Sequence, residues 1–229
     1  MSPIPPSIGA DGRAATGRER SVRLYLASTS PARLATLRAV GIDPVPVPSH
    51  VDEDAVAAAA GPQDPDAFVT LLARAKAEAV AERLVDDGGL DGLVLGGDSA
   101  FVLDGVIYGK PHLPEVARER WRAQRGRSGV LHSGHWLIDA RGGLLGRAVG
   151  GATSAVVSFA ADITDDEIDA YIATGEPLEV AGAFTVDSKG AGFVERVDGD
   201  PHTVVGLGVP YLRTLVRSLG VEWTELWNL

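Results

Sequence analysis

The first region with a clear hydrophobic pattern runs from residue 22 to residue 42. Apolar residues alternate with polar or small ones in its first half, at Val22, Leu24 and Leu26. Apolar residues recur at helical spacing in its second half, at Leu34, Leu37 and Val40. The region therefore predicts a short strand, a polar turn over 27–30 and a helix that ends at Gly41.

The turn between this strand and this helix carries candidate chemistry. Ser30 can cap free backbone N–H groups, and Pro31 lacks the N–H that would be unsatisfied at the first helical position. Ser28, Ser30 and Arg33 would bring hydroxyls, a guanidinium and the positive end of the helix dipole to one small volume, which suits an anion such as phosphate. An ordinary turn in which the serine only caps the helix is the alternative, and this stretch alone does not decide between the two.

Strand and helix patterns alternate along the rest of the chain. Strands are predicted over 45–47, 93–95, 131–138 and 155–159, and helices over 66–84, 114–125 and 210–219. Thr164 opens a further helix with a capping box. The apolar runs 101–103 and 106–108 flank Asp104 and Gly105, which predicts a hairpin with a two-residue turn.

Two acidic segments are candidates for ligand binding or catalysis. The run 52–54 follows the short strand, and such a cluster is either a solvated turn or a site for a hard divalent cation. Asp98 comes after two glycines at the end of a buried strand, where open α/β sheets bind their ligands.

Two lysines are predicted near these acids. Lys76 lies on the apolar stripe of its helix, where it either extends along the edge of the core or points into a cleft. Counting outward from the hairpin turn places Lys110 opposite Ser99 and therefore beside Asp98. That pair is either a surface ion pair, worth about 0 to 1 kcal/mol, or part of a site, and the glycines beside the acid favour a site.

Other charged residues suggest less specific roles. Four arginines of the helix 114–125 are interpreted as a solvated face, at Arg118, Arg120, Arg122 and Arg125. His132 and His135 are three residues apart in a strand and point to opposite faces, which argues against a shared metal ion.

Composition narrows the class of protein. The 229 residues are 45% hydrophobic and 23% charged, as in a soluble globular protein, and no apolar run is long enough to span a bilayer. A net charge of -10 argues against binding a nucleic acid polymer. There is no cysteine, and residues 1–20 lack the apolar core of a secretory signal, so we expect a disordered tail and a cytoplasmic protein.

Taken together, these segments resemble the Maf family of nucleotide pyrophosphatases from about residue 24 to residue 219. The motifs that carry the resemblance lie at 26–31 with Arg33, 51–53, 75–77, 97–99, 103–105, 109–111, 126–128, 181–184, 193–196 and 205–207. The resemblance implies a mixed α/β fold, a twisted sheet with flanking helices in two lobes around a cleft, like that of the inosine triphosphate pyrophosphatases. It also implies that residues 21–229 form a single catalytic domain.

The resemblance further implies hydrolysis of a nucleoside triphosphate to the monophosphate and pyrophosphate, dependent on Mg²⁺ or Mn²⁺. Asp98 matches the proposed proton acceptor of the family. Other active-site positions of the family are matched by Ser28, Arg33, Glu53, Lys76 and Lys110.

The chemistry of these residue types agrees with that activity. Attack of water on the α-phosphorus needs a base, for which Asp98 is the candidate, and cations that neutralise the phosphoryl oxygens. Glu53 with Asp98 would hold the metal ion. Phosphates would be bound by Arg33, Lys76 and Lys110, with hydrogen bonds from Ser28 and Ser30.

Three positions depart from the pattern of the family. Ala32, Ser99 and Asp187 stand where the family has residues associated with the choice of nucleobase, so the preferred base does not follow. A nucleotide-binding regulator of cell division or septum formation, with little catalysis, is the alternative function. A homodimer is expected from base rates of symmetry alone.

Overall fold

A computed structural model describes the chain from residue 21 to residue 229. The tail predicted over residues 1–20 lies outside the described residues. The strands are β1 (Leu24–Ala27), β2 (Val45–Pro46), β3 (Leu93–Leu103), β4 (Val106–Tyr108), β5 (Ser128–Asp139), β6 (Ala148–Phe159) and β7 (Val194–Asp198). The helices are α1 (Pro31–Ala39), α2 (Glu53–Ala60), α3 (Pro65–Asp86), α4 (Pro114–Gln124), α5 (Asp165–Ala173), α6 (Pro201–Val205) and α7 (Val209–Ser218).

The strands form one mixed seven-stranded sheet in the order β2-β1-β3-β5-β6-β7, with β4 paired to the second half of β3. β1 runs parallel to both β2 and β3, and the remaining pairs are antiparallel. The parallel pair needs a long crossover, which the chain supplies between β1 and β3. The mixed α/β fold with flanking helices is confirmed.

Helix α3 packs directly on one face of the sheet. A Cβ atom at Gly96 would lie 2.0 Å from the carbonyl oxygen of Ala73, and one at Gly134 would lie 2.2 Å from that of Val69. These two glycines therefore allow the helix backbone to approach β3 and β5 closely. The close contact fixes the position of Lys76, one turn beyond Ala73, relative to the sheet.

The opposite face carries two apolar clusters. Because side chains alternate along a strand, residues two apart in β3 or β5 share a face. Leu93 and Leu95 of β3 pack with residues of α1 and α7, while Phe101 and Leu103 pack with residues of α4 and α5. Ser99 lies between these two pairs on the same strand face. A polar strip therefore separates the two clusters.

The structure corrects two predictions about acidic and strand segments. The single eleven-residue strand β3 contains both of the apolar runs that were predicted as separate strands, 93–95 and 101–103, and it carries Asp98 in its middle. The run 52–54 is the start of α2, because the Asp52 side chain accepts from the backbone N–H of Ala55 at 3.0 Å and caps the helix. Glu53 is therefore the first helical residue and not part of a loop.

The predicted pairing of Lys110 with Ser99 is wrong. The ladder between β3 and β4 ends at Tyr108, opposite Phe101. The next carbonyl, that of Gly109, accepts from the backbone N–H of Gly182 and from Arg120, so the chain leaves the sheet before it reaches Lys110. Lys110 is exposed and forms no ion pair with any residue between 21 and 229.

Of the four arginines predicted to form a solvated face, Arg122 is exposed and the other three are half-buried, and Arg118, Arg122 and Arg125 join α4 to α5. Arg118 pairs with Asp169 at 2.5 Å, and Arg122 and Arg125 pair with Asp165 at 2.7 and 3.0 Å. Exposed pairs of this kind stabilise a fold only slightly. These ion pairs show that α5 lies beside α4.

The two histidines of β5 have different partners. His132 lies 2.7 Å from Asp66 at the start of α3, whereas His135 is buried and accepts from the backbone N–H of Gly208.

No helix within residues 21–229 combines the length and the apolar character needed to cross a bilayer.

Glu176 organises the segment between α5 and β7. Its carboxylate accepts from the hydroxyls of Tyr171, Thr185 and Ser188 at 2.9, 2.5 and 2.9 Å, and from the backbone N–H of Gly190 at 3.1 Å. Partial burial raises the pKa of Glu176, but these hydrogen bonds outweigh it and bring the pKa down to about 2. The segment is therefore held by one ionised carboxylate.

We expect Glu176→Gln to destabilise the protein by about 2 kcal/mol at neutral pH. This value is the free energy that corresponds to the shift in pKa, lowered because the carboxylate is partly exposed to solvent. Since the folded pKa is depressed from 4.5, this stabilisation is complete above about pH 4.5 and is lost as the pH falls toward 2. Urea unfolding across that pH range measures both effects. The control is Glu179→Gln, whose side chain is 70% exposed, and an equal loss in the two variants would contradict the prediction.

Candidate active site

The turn after β1 forms as predicted. Ser30 caps α1, since its hydroxyl accepts from the backbone N–H of Arg33 at 3.3 Å, and Pro31 occupies the first turn. The Ser28 hydroxyl accepts from the backbone N–H of Ser30 at 3.1 Å. These bonds hold two serine hydroxyls beside the N-terminal end of the helix, where the dipole favours an anion.

Arg33 is buried and held by three acceptors. Its Nε donates to the carbonyl oxygen of Gly206 at 2.8 Å, Nη1 to the Ser28 hydroxyl at 3.2 Å, and Nη2 to the Ser99 hydroxyl at 2.9 Å. A guanidinium has five N–H bonds, so one remains on each terminal nitrogen. Two parallel N–H bonds of this kind can donate to two oxygens of one phosphoryl group.

Gly97 makes room for this arginine. A Cβ atom at Gly97 would lie 3.1 Å from the Nε of Arg33, closer than about nine in ten Cβ contacts in proteins. A side chain at this position would therefore push the guanidinium away from β3. The absence of a side chain at Gly97, directly before Asp98, therefore allows the guanidinium of Arg33 to pack against β3.

A gap in strand pairing lies beside this turn. β3 pairs with β1 up to Gly96 and with β4 from Phe101 onward, so residues 97–100 pair with neither of these two strands. The gap begins where β1 ends, so the edge of β3 and the turn 28–30 border the same space. Ser99 contacts Arg33 on one face of β3, and Asp98 contacts Lys76 of α3 on the other.

Lys76 joins two carboxylates. Its Nζ lies 2.5 Å from Oδ1 of Asp98 and 2.8 Å from Oε1 of Glu53. The side chains of Lys76 and Asp98 are 9% and 10% exposed, whereas that of Glu53 is 51% exposed. The structure thus brings Glu53 and Asp98 together, with Glu53 on the solvent side, and Lys76 points into the site rather than along the core edge.

The charges of the site act on one another. Burial raises the pKa of the Asp98 carboxyl, while the Lys76 and Arg33 cations offset part of this rise. Burial lowers the pKa of Arg33, and the nearby Asp98 and Glu53 carboxylates oppose that effect. An arginine remains cationic throughout the ordinary pH range. Asp98 therefore takes up a proton more readily than an exposed aspartate does.

The donor set fits a hard divalent cation. Two carboxylate oxygens bonded to the same ammonium lie within about 5 Å of each other, and Mg²⁺ is commonly held by one or two carboxylates together with substrate phosphates and water. Within residues 21–229 there is no group of three or more His, Asp or Glu side chains that could hold a metal ion. Glu53 and Asp98 could therefore supply part of a coordination sphere that a phosphorylated ligand completes.

The remaining predicted residues are more dispersed. Ala32 is half-buried on α1, and Asp187 is exposed in the segment before β7. Ser99 bonds to Arg33 and to the hydroxyl of Ser133, so it belongs to the arginine's surroundings. The structure joins neither Lys110 nor Asp187 to Asp98 by a contact among the described residues, and the roles of both stay predictions.

Sequence reasoning missed three contributors: Ser133, His135 and the carbonyl of Gly206. Ser133 bridges Ser99 and the carbonyl oxygen of Thr203 at 3.1 and 2.8 Å. Residues 133 and 135 are polar positions between Leu131 and Leu137 on one face of β5, a signal that could have identified the first two. A backbone carbonyl has no signature in the sequence, so Gly206 could not have been found in this way.

Comparison with known proteins identifies the family of this chain. The family model described as Maf-like protein matches residues 23–219. A protein of Leifsonia xyli subsp. xyli named nucleoside triphosphate pyrophosphatase is 69% identical over 211 residues, which cover 90% of this chain and 97% of that protein. Proteins with the same name from Nocardia farcinica and Rhodococcus erythropolis are 50% and 47% identical, covering 90% of this chain and 96% and 97% of their own lengths. The family match over most of the chain and the high identity of these relatives place this chain in the Maf family.

Proposed function

We propose that this protein is a nucleoside triphosphate pyrophosphatase that hydrolyses its substrate to the nucleoside monophosphate and pyrophosphate. The observation that carries the proposal is the meeting of two carboxylates and two cations beside the unpaired edge of β3. Asp98, Glu53, Lys76 and Arg33 come from four different elements. The relatives that bear this name match the chain over nine-tenths of its length.

Arg33 and the serines would bind the phosphates. The two remaining N–H bonds of Arg33 would donate to a phosphate that also benefits from the N-terminal end of α1. Because the guanidinium is fixed by three acceptors, little reorganisation accompanies binding. Ser28 and Ser30 add hydroxyls next to the same volume.

Asp98 would accept the proton of the attacking water. It is the buried carboxylate of the site, and its raised pKa makes it a better proton acceptor than an exposed aspartate. Lys76, bonded to Oδ1, orients the carboxylate and leaves Oδ2 for the water. A divalent cation held by Glu53 and Asp98 would neutralise charge on the phosphoryl oxygens and the departing pyrophosphate.

Lys76→Met tests the coupling between the lysine and Asp98. The Lys76 cation lowers the pKa of Asp98, so its removal raises that pKa further. We expect the acid limb of kcat/KM to move to higher pH, because Asp98 must be ionised to act as base. The pH profile of Arg74→Met, an exposed residue one half-turn away on α3, serves as the control. An acid limb that stays at the same pH in Lys76→Met would show that Lys76 does not affect the ionisation of Asp98.

Product analysis with the purified full chain tests the activity. A panel of standard, methylated and deaminated triphosphates is incubated with Mg²⁺ or Mn²⁺, and the products are quantified. We expect monophosphate and pyrophosphate in equal amounts, and no reaction after chelation of the metal. Release of inorganic phosphate and a nucleoside diphosphate would overturn the proposal. Nucleotide binding without any turnover would favour the regulatory alternative.

The remaining features of the proposal concern the setting of the reaction. We place the nucleotide at the edge of β3 formed by residues 97–100, and the two lobes of one catalytic domain stay a prediction. The lack of cysteine fits a reducing compartment, and we place the enzyme in the cytoplasm. The homodimer stays a prediction that analytical ultracentrifugation would check.

A further inference from the structure

The turn between α6 and α7 supplies an acceptor for Arg33. Gly206 ends α6 in a left-handed conformation, with a φ of +107°, and its carbonyl oxygen accepts from the Nε of Arg33 at 2.8 Å. The N–H groups of Gly206 and Leu207 bond back to α6. The position of the arginine therefore depends on where this turn lies.

One buried side chain connects the turn to the sheet. Nε2 of His135 accepts from the backbone N–H of Gly208 at 2.9 Å, and the histidine is 0% exposed. His135 lies on β5 opposite Gly97 of β3, the glycine against which Arg33 packs. The arginine, the glycine turn and the histidine thus form one continuous buried path.

The direction of the hydrogen bond fixes the tautomer of the imidazole. Because Nε2 accepts, the neutral ring carries its proton on Nδ1. Nδ1 makes no hydrogen bond of good geometry among the described residues. The nearby backbone of Gly151 and Ser133 raises the pKa of the ring by a smaller amount than burial lowers it.

The surroundings of the ring keep it neutral. Burial, followed by the Arg33 cation, lowers the pKa of His135 to about 4, while the Asp200 carboxylate acts weakly in the opposite direction. Tyr211 of α7 faces the ring edge-on, with centroids 5.4 Å apart. The acceptor at Nε2 is therefore present throughout the neutral range.

We propose that His135 is a positioning residue for the pyrophosphatase reaction: it holds the turn 206–208 against β5 and thereby sets the location of the Arg33 guanidinium. The inference rests on the proposed function, since Arg33 is taken to bind the phosphates. It assigns a role to a buried histidine that contacts no phosphate. Misplacing a binding group by about 1 Å can reduce a rate by about 100-fold, so the effect is expected to be measurable.

Two variants of His135 distinguish positioning from filling space. A glutamine places its Oε1 near the position of Nε2 and can accept from Gly208, whereas a leucine fills the volume without an acceptor. We expect His135→Leu to reduce kcat/KM at least tenfold and His135→Gln to recover most of the loss. We also expect inorganic pyrophosphate to bind at least tenfold more weakly to His135→Leu, as measured by calorimetry. His132→Gln, on the opposite face of β5, is the control.

A double variant tests whether the histidine acts through the arginine. In an Arg33→Met background, adding His135→Leu should change kcat/KM less than threefold, because the group that it positions is already absent. Full activity of His135→Leu, or an effect of equal size in both backgrounds, would overturn the inference.

A measurement on the unaltered protein remains decisive if a variant fails to fold. The ¹⁵N chemical shifts of the His135 ring should show a protonated Nδ1 and an unprotonated Nε2 coupled to the Gly208 amide. A ring protonated at Nε2 would overturn the inference. If the unaltered protein shows this tautomer and binds pyrophosphate but releases none from any triphosphate, the proposed function fails and the positioning of Arg33 does not.

Discussion

Asp98→Asn is expected to lower kcat by about 10²- to 10⁴-fold, the usual contribution of a general base. The asparagine keeps an oxygen that can accept from Lys76, so the packing between β3 and α3 is preserved. It loses the negative charge that takes the proton and helps to hold the metal ion. Release of pyrophosphate under saturating triphosphate measures the loss, and circular dichroism verifies the fold.

The matched control for this variant is Asp54→Asn. Asp54 is exposed in the first turn of α2, directly after Glu53, so it tests the effect of removing one negative charge near the site. We expect its kcat to remain within about twofold of the unaltered value. Undiminished turnover by Asp98→Asn would remove the aspartate from the mechanism.

Arg33→Met is expected to lower kcat/KM by about 10²- to 10³-fold, as found when a fixed donor to a developing oxyanion is removed. The change eliminates the two N–H bonds assigned to the phosphates. It also leaves the Gly206 carbonyl and the hydroxyls of Ser28 and Ser99 without their donor, so the thermal stability should fall. Arg33→Lys should recover little, because an ammonium cannot reproduce the planar fork.

Arg38→Met provides the comparison for this loss. Arg38 lies on the same helix, but its side chain is 52% exposed and pairs with Asp43 at the surface. Its removal should leave kcat/KM unchanged and cost at most about 1 kcal/mol of stability. A similar loss of activity in the Arg33 and Arg38 variants would show that the helix, and not the guanidinium at position 33, is responsible.

Local patterns predicted α1 and α3, but they missed α2 and divided β3 into two strands. The serine and proline that start α1 are visible in the sequence because capping depends on residues close together in the chain. The helical spacing of Lys76 placed it on the apolar side of α3, yet it could not decide between the core edge and the cleft. That choice depended on Asp98 and Glu53, which come from other elements.

The error at Lys110 has a physical cause outside the hairpin. Counting across a two-residue turn assumes that the ladder continues, but the carbonyl of Gly109 instead accepts from Gly182, more than 70 residues later in the chain. The same limit applies to Arg33, whose acceptor at Gly206 follows from the packing of α6 against α1. Such contacts follow from the tertiary arrangement of distant segments, which the local pattern does not contain.

The hydrogen bond from Arg33 to Gly206 spans 173 residues of sequence. During synthesis, the arginine is made early, whereas its carbonyl partner is added only near the end of translation. A chain that stops before α6 would contain Ser28, Glu53, Lys76 and Asp98, yet the guanidinium would lack one of its three anchors. We therefore expect a chain that ends before α6 to hydrolyse nucleotides more slowly than a nearly full-length molecule.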